Sequence, residues 1–86
     1  MKPINKALSD EYVGTTAGAR ILELSTQRVR QLTETGLLPS TQTPLGRLYP
    51  RRHLERIRAL RDQFASYRSE DLRKYMEENF GGDDVT

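Results

Sequence analysis

Residues 25–49 read STQRVRQLTETGLLPSTQTPLGRLY, and they contain signals for a helix and for the hairpin that follows it. Ser25 predicts the cap of a helix over residues 26–35, because a serine oxygen accepts hydrogen bonds from backbone N–H groups one turn further on. Val29 and Leu32 stand at helical spacing and predict its buried side. Gly36 is predicted to end this helix, because glycine readily adopts the left-handed backbone conformation that follows a last helical turn. The stretch therefore begins with one short, capped helix.

A β-hairpin is predicted directly after this helix. Residues 37–39, Leu-Leu-Pro, are typical of a short edge strand that ends at proline. Residues 40–44 are polar and favour a turn, and residues 46–49, Gly-Arg-Leu-Tyr, form the returning strand. A hairpin in this position is a wing.

The preceding segment predicts a partner helix over residues 17–24. Thr15 and Thr16 offer N-cap hydroxyls, and Ala17, Ile21 and Leu24 share one face. Two short helices joined by a tight, capped turn form a helix-turn-helix unit.

Two further helices are predicted after the wing. Pro50 lies at a helix start, where a residue without a backbone N–H is tolerated, and a helix over residues 51–67 is predicted to follow. Ser69 is expected to cap a fourth helix that ends at residues 81–82, with Glu70 and Asp71 in its first turn, where the helix dipole favours negative charge. The apolar stripes are Leu54, Ile57, Leu60 and Phe64 on the third helix, and Leu72, Tyr75 and Met76 on the fourth. The predicted fold is mainly α, a winged helix-turn-helix of three to four helices with a two-stranded β-hairpin wing.

Length and composition indicate one domain with a thin core. The chain has 86 residues, of which 35% are hydrophobic, and it contains no Trp. We expect a loose arm over residues 1–11, the winged domain over residues 12–80 and a frayed acidic tail over residues 81–86. No apolar run approaches the roughly 20 residues needed to cross a bilayer, so a soluble, cytoplasmic protein without a membrane partner is expected.

The basic charge is unevenly distributed. Residues 1–68 carry 12 Lys and Arg against 6 Asp and Glu, whereas residues 69–86 carry 2 against 6. Ten of the 12 basic residues are arginines, the side chain best suited to bidentate contacts with phosphate and guanine. A simpler interpretation is that these arginines form solvated helix surface. Arg51 and Arg52 open the third helix, where cations oppose the helix dipole, which indicates an anionic partner; local pairing with Glu55 is an equally simple explanation. Position in a winged unit favours a nucleic-acid surface.

Catalysis, metal binding and a cofactor are not expected. The sequence has no Cys and one His, His53, which reads as a surface or boundary residue near a helix start. No second soft ligand stands at helical spacing from it. A serine nucleophile would need a histidine and an orienting carboxylate in a cleft, which so thin a core does not favour.

The sequence also resembles a known family, the MerR-type winged-helix domain, over about residues 12–78. The residues that carry the resemblance are Thr15-Thr16-Ala17, Ala19-Arg20-Ile21-Leu22, Ser25, Val29-Arg30, Gly36-Leu37-Leu38-Pro39 and Gly46-Arg47-Leu48-Tyr49. The resemblance implies that the second helix lies in the DNA major groove and that the wing residues Arg47 and Tyr49 touch the backbone. Gln31 stands where these regulators usually have Tyr.

The residues expected to contact DNA lie on three elements. Thr26, Gln27 and Gln31 are candidate readers of base edges, Arg28 and Arg30 are contacts of the same helix, and Arg47 reaches phosphate or the minor groove. Thr15 and Thr16 are caps whose helix start can present N–H groups to phosphate. Tyr49 is more simply explained by packing under the wing, but remains a candidate.

Two functions are expected from a protein with this predicted DNA-binding surface. MerR regulators usually carry a long dimerisation helix beyond the fourth helix, whereas this sequence reaches only Thr86, so it is closer in build to the small excisionases of phages and mobile elements. An excisionase in a bacterial host cell would be nucleoid-associated, would bind repeated sites head-to-tail with other copies of itself, bend DNA and direct an integrase toward excision. The alternative is a compact transcription regulator of a promoter. A third class, a protein-interaction module, would use Leu72, Tyr75, Met76 and Phe80, which are more simply core.

Overall fold

The computed structural model describes residues 11–81, which contain four helices and a three-stranded antiparallel sheet. The helices are α1 (Thr15–Leu22), α2 (Thr26–Glu34), α3 (Arg51–Arg58) and α4 (Ser69–Phe80). The strands are β1 (Tyr12–Val13), β2 (Thr41–Thr43) and β3 (Gly46–Pro50). The predicted fold class, a mainly helical winged helix-turn-helix, is confirmed. Most of the predicted arm and tail, residues 1–10 and 82–86, lies outside the described residues.

The turn between α1 and α2 is built by two local signals. Glu23 ends α1 in the left-handed conformation (φ 60°), and its N–H donates to the carbonyls of Ala19 and Arg20. Ser25 then accepts a hydrogen bond from the backbone N–H of Arg28 at 3.0 Å, which satisfies one of the free N–H groups at the start of α2. The predicted Ser25 cap is confirmed.

Gly36 ends the helix-turn-helix unit as predicted. It lies at φ +81°, a conformation that costs glycine little because it has no Cβ. The N–H of Leu37 donates back to the Leu32 carbonyl at 2.9 Å, so the chain reverses tightly after α2.

The start of α1 differs from the prediction. Gly14, and not a threonine, holds the N-cap position, and no side chain caps the helix. Thr15 and Thr16 are its first helical residues, because the Gly14 carbonyl already accepts from the N–H of Gly18 at 2.9 Å. The predicted caps are wrong.

The buried face of α1 also differs from the predicted one. It is formed by Gly18, Ala19 and Leu22, whereas Ala17 is exposed. Gly18 brings α1 close to its neighbours, since a Cβ there would lie 3.2 Å from the Cδ1 atom of Leu54 on α3. The absence of a side chain at Gly18 therefore allows α1 to approach α3 closely, while Ile21 and Leu24 are only partly buried against the core.

The first wing strand lies later in the chain than predicted. Leu37 and Leu38 are buried core residues without strand pairing, and the strand is β2, in the segment expected to be the turn. Its residues Thr41, Gln42 and Thr43 pair with Leu48, Arg47 and Gly46 of β3. The apolar pair contributes more by burial under the helices than it would on an exposed hairpin.

A third strand, which the sequence did not predict, completes the sheet. Tyr12 of β1 pairs with Pro50, and Val13 pairs with Tyr49, giving the strand order β1-β3-β2. The wing strand β3 is therefore central and is held on both edges.

The third helix is shorter than predicted and is followed by a structured loop. α3 ends at Arg58, and Phe64 is 77% exposed, so it does not extend the apolar stripe. The Asp62 carboxylate accepts hydrogen bonds from the backbone N–H of Phe64 at 2.8 Å and from that of Ser66 at 3.2 Å. This local hydrogen bonding offers the backbone an alternative to helix.

The fourth helix begins at Ser69, but Arg68 occupies the N-cap position and no side-chain cap forms. The predicted Ser69 cap is therefore wrong by one residue. Glu70 and Asp71 do lie in the first turn, and the helix ends at Phe80 before Gly81, as expected.

The core lies between the helices and one face of the sheet, and α1 packs against both α2 and α3. Its buried apolar residues are Val13, Ala19, Leu22, Val29, Leu32, Leu37, Leu38, Tyr49, Leu54, Ile57 and Leu72. Along residues 11–81, no helix combines the length and apolarity needed to span a membrane.

Candidate nucleic-acid interface

The outer face of α2 carries the side chains predicted to read DNA. Val29, Leu32 and Thr33 are buried against the core. Because successive helical residues are about 100° apart, the residues between them point outward. Gln27, Arg28, Arg30 and Gln31 are exposed and Thr26 is half-buried. The structure thus brings all five predicted α2 residues to an accessible surface.

Two of these side chains interact with each other. The Arg28 guanidinium donates to the Gln31 side-chain oxygen at 3.4 Å, one turn further along α2. Among residues 11–81 the other guanidinium N–H groups of Arg28 have no hydrogen-bond partner, and the contact positions an amide beside a cation. Such a pair presents both donors and an acceptor to a base edge.

The wing places Arg47 near the hairpin's polar edge. Arg47 lies opposite Gln42 in the β2–β3 register, and its Nε donates to the Gln42 side-chain oxygen at 3.4 Å. Arg47 is half-buried, and its hydrogen bond to Gln42 lies at the exposed surface of the hairpin.

Tyr49 lies in the core and not on the surface. Its side chain is 0% exposed, and its hydroxyl is 2.9 Å from the hydroxyl of Thr33. Thr33 already donates to the Val29 carbonyl at 2.7 Å, so Tyr49 must be the donor in the pair. The bond joins β3 to α2, and Tyr49 therefore fixes the position of the wing relative to the helix.

Thr15 and Thr16 stand at the start of α1, half-buried and exposed respectively. The first N–H in α1 with a helical partner is that of Gly18, so the preceding N–H groups are available to an acceptor outside the helix.

The arginines divide into paired and unpaired groups. Within residues 11–81, the paired ones are Arg51 with Glu55 at 3.7 Å, Arg58 with Glu23 at 2.7 Å, Arg61 with Glu23, and Arg68 with Glu70 at 3.4 Å and Asp71 at 3.7 Å. Arg28, Arg30 and Arg47 have no carboxylate within ion-pair distance in the same part of the chain. The pairing of Arg51 with Glu55, one of the two interpretations that the sequence left open, is present. The arginines without an ion pair in this part of the chain include those on α2 and the wing, but also Arg20, Arg52, Arg56 and Arg73 on the other helices.

Glu23 is the centre of the paired group. Hydrogen bonds from Arg58 and then Arg61 hold the pKa of its carboxyl below the ordinary 4.5. The Tyr67 hydroxyl donates to the Leu22 carbonyl at 2.7 Å beside it. These contacts tie the loop after α3 to the end of α1, so Arg58 and Arg61 serve the fold.

Sequence reasoning missed Arg73 on α4. It is exposed, and with Arg28, Gln31, Glu34 and Thr35 it lines a shallow depression between α2 and α4. The one available signal was that Arg73 is among only two basic residues in an otherwise acidic segment. The docking of α4 beside α2 makes it a neighbour of the predicted reading helix.

His53 contributes to the packing of α3 against α4. It is half-buried between α3 and α4, where its Nδ1 lies 2.7 Å from the Tyr75 hydroxyl and its ring packs on Phe80. Among residues 11–81, no three His, Asp or Glu side chains come together as a metal-binding group.

The fold and the exposed basic helix define the class: a winged helix-turn-helix protein of the DNA-binding kind. Residues 16–79 match the family of MerR HTH regulatory proteins. Since the match covers most of the chain, the protein belongs to that family, and the resemblance predicted from its residues is confirmed. Its helix-turn-helix is a DNA-binding regulatory domain of a kind that is not typically catalytic. Searches among curated proteins and solved structures gave no match.

Proposed function

We propose that this protein binds duplex DNA with α2 in the major groove and the wing against the sugar-phosphate backbone. The observation that supports the proposal most directly is the outward face of α2, which carries Arg28 and Arg30 without carboxylate partners among residues 11–81. The bond between Tyr49 and Thr33 supports it further, because it holds the wing in a fixed relation to that helix.

The contacts divide by chemistry. Arg30 and Arg47 bind phosphates and position the domain without reading sequence. Thr26, Gln27, Arg28 and Gln31 face base edges, where arginine pairs with guanine and glutamine with adenine. The N–H groups at Thr15 and Thr16 bind a further phosphate at the start of α1.

The short reading helix favours binding in several copies. α2 has nine residues, so it is about 13 Å long at 1.5 Å per residue and covers about four base pairs. One copy would therefore specify only a short site. Repeated sites occupied side by side supply the missing specificity.

The charge of the surface supports head-to-tail contact between copies. Glu70, Glu77 and Glu78 are exposed on α4. Arg52 and Arg56 are exposed on α3 and have no ion pair within the described part of the chain. The acidic helix of one copy meeting the basic helix of the next makes a heterologous contact, which can extend along DNA without closing.

Two biological roles use this arrangement. The first is an excisionase-type architectural factor on the nucleoid of a bacterial host, in which adjacent copies bend DNA and direct an integrase toward excision. The second is a small regulator of a promoter, and the description of the matched family as regulatory proteins favours it.

Base preference tests the DNA-binding mode. Footprinting on the DNA flanking the protein's own gene identifies a site, and every single-base variant of that site is then titrated. Gln27→Ala and Arg28→Ala should lose about 1–3 kcal/mol of discrimination at particular base pairs. Arg68→Ala, which removes a cation paired with Glu70 and Asp71, is the matched control. Equal losses on specific and random DNA would mean that α2 is not the reader.

A second experiment separates the two roles. Circularly permuted fragments carrying the site are run in gel shifts, and transcription is measured from any promoter that overlaps it. Stepwise binding of several copies with a bend supports the excisionase role. A complex that forms in one step and changes transcription supports the promoter regulator.

A further inference from the structure

The tip of the wing presents an apolar side chain to solvent. Leu45 is 96% exposed and, with Phe64, is one of the two large hydrophobic side chains left open in the described part of the chain. Removing a leucine side chain from water is favourable, and Leu45 is not buried by any contact within residues 11–81. The position of Leu45 on the wing indicates what it meets.

The wing tip is a rigid platform. Thr43 and Gly46 close the hairpin, so the turn consists of Pro44 and Leu45 alone. The Thr43 hydroxyl donates to the Gly46 carbonyl at 2.6 Å and accepts from the Leu45 N–H at 3.2 Å. Proline fixes its own φ, and Gly46 adopts φ +121°. Leu45 is therefore held in place before any partner arrives, at little further entropic cost.

The surroundings of the tip suit a polyanion. The sequence contains no Asp or Glu between Glu34 and Glu55, so the whole wing is free of negative charge. Arg47 stands two residues from Leu45. In a DNA groove, the apolar faces of stacked bases lie between two rows of phosphates. A leucine beside an arginine is complementary to this arrangement, because the leucine suits the bases and the arginine suits a phosphate.

The distance from α2 to the wing tip also agrees with the spacing between neighbouring grooves of DNA. Tyr49 fixes β3 to α2, and Leu45 is four residues further out, about 13 Å at 3.3 Å per residue. Adding about 5 Å for the radius of α2 gives about 18 Å. The minor groove that flanks a major-groove site is half a helical turn away, about 17 Å.

Resting on the proposed DNA binding, we propose that Pro44 and Leu45 form an apolar wedge. The wedge enters the minor groove next to the α2 site and partly unstacks one base step, while Arg47 binds the adjacent backbone. Pyrimidine–purine steps unstack at the lowest cost, so the wedge favours such a step at a fixed distance from the bases that α2 reads. The wing thus reads deformability and kinks the duplex.

The test uses a duplex of about 30 base pairs, selected from a random-sequence pool by the wild-type protein. 2-Aminopurine replaces one base at a time across the flank on which the wing lies, and end-labelled fluorophores report the bend. Wild-type protein should raise 2-aminopurine fluorescence at one step and shorten the end-to-end distance. Leu45→Ser should return both signals most of the way to those of free DNA.

Affinity and salt dependence separate the wedge from an ordinary backbone contact. Leu45→Ser loses contacts but also avoids the unstacking cost, so its affinity should change by less than about tenfold and its salt slope should not change. Arg47→Ala should lower that slope by about one unit. Leu45→Met should retain the fluorescence signal, and Phe64→Ala is the matched control for loss of an exposed apolar side chain.

The outcomes are distinct. If selection yields no duplex, the proposed DNA binding fails and the wedge fails with it. If wild-type protein binds without any change in 2-aminopurine fluorescence, or if Leu45→Ser binds and keeps the full signal, the wedge alone is overturned. Because Leu45 is exposed, circular dichroism and the melting temperature of Leu45→Ser should match the wild type.

Discussion

At the scale of single residues, Arg30 and Arg47 illustrate a contact that gives affinity without sequence information. Each phosphate that a cation neutralises releases counterions, so Arg30→Ala and Arg47→Ala should each weaken binding on every sequence and flatten the salt dependence by about one unit of slope. Titrations of specific and random duplexes over a range of salt concentrations measure both effects. Arg68→Ala should leave the slope unchanged. An unchanged slope for Arg30→Ala would remove it from the phosphate contacts.

The hydroxyl of Tyr49 is expected to contribute to the stability of the fold. Tyr49→Phe removes the hydroxyl that donates to Thr33 and should lower the free energy of unfolding by about 0.5–1.5 kcal/mol, because the Thr33 hydroxyl keeps its bond to the Val29 carbonyl. Urea unfolding measures the change. Tyr12→Phe is the control, since the Tyr12 hydroxyl makes no hydrogen bond within residues 11–81. If the two variants lose equal stability, the bond between β3 and α2 contributes nothing specific.

Among the elements, we expect the contact between α3 and α4 to weaken in acid. Burial, and then the neighbouring Arg56 and Arg52, lower the pKa of His53 below its ordinary 6.5. The groups that face it from α4 are the Tyr75 hydroxyl and the Phe80 ring, which supply no opposing charge. The unfolded chain therefore binds a proton at a higher pH than the folded chain does.

The sign of the effect follows from that difference. The contribution of neutral His53 is complete above its unfolded pKa of 6.5 and is lost as the pH falls through the lowered folded value. Unfolding free energy measured from about pH 7.5 to 5.5, above the range of most carboxylates, should fall with pH. His53→Gln should flatten the curve in this window. A wild-type curve that is already flat would contradict the prediction.

Some elements were predictable because their signals are local. Ser25 and Gly36 determine the two ends of α2 through hydrogen bonds to residues one turn away. Leu37 and Leu38 were misassigned to a strand because a short apolar run has the same pattern whether it pairs or packs, and only contacts from distant helices decide. The end of α3 was misplaced because the Asp62 loop competes with a continuing apolar period at Phe64.

The candidate site shows the same limit. The α2 residues could be found because helical spacing alone separates Arg28 and Arg30 from the buried Val29. Arg73 could not, since its place beside α2 depends on how α4 docks. For Tyr49, packing under the wing was the simpler explanation from the sequence and agrees with its burial, whereas its hydrogen bond to Thr33, 16 residues away in the chain, could not be predicted.

In the whole molecule, the last helix has one fully buried residue, although Tyr75 and Phe80 also contact the rest of the domain. Leu72 is the single α4 residue buried by the core, at 1% exposure. Leu72→Ala should cost about 2–5 kcal/mol, a large share of the stability of so small a domain. Chemical denaturation gives this value, and Phe64→Ala should stay within about 0.5 kcal/mol of wild type. A loss below about 1 kcal/mol for Leu72→Ala would show that Leu72 is not the main anchor of α4.

Hydrogen exchange should show the order in which the molecule opens. Because α4 has one buried residue whereas α1 and α2 have three each, its amides should exchange faster than those of α1 and α2. In Leu72→Ala the difference should grow. Uniform protection across the helices would instead indicate a single cooperative unit.

The two-residue strand β1 also has a bearing on self-association. It occupies one edge of β3 through the pairs of Tyr12 with Pro50 and Val13 with Tyr49. A chain shortened to begin after Val13 would leave that edge with unpaired N–H and carbonyl groups, which readily pair with another strand. Such a fragment should form concentration-dependent dimers or aggregates in the absence of DNA. Tyr12 and Val13, just before the helix-turn-helix, therefore cover this edge of β3 and prevent it from pairing with a strand of another copy.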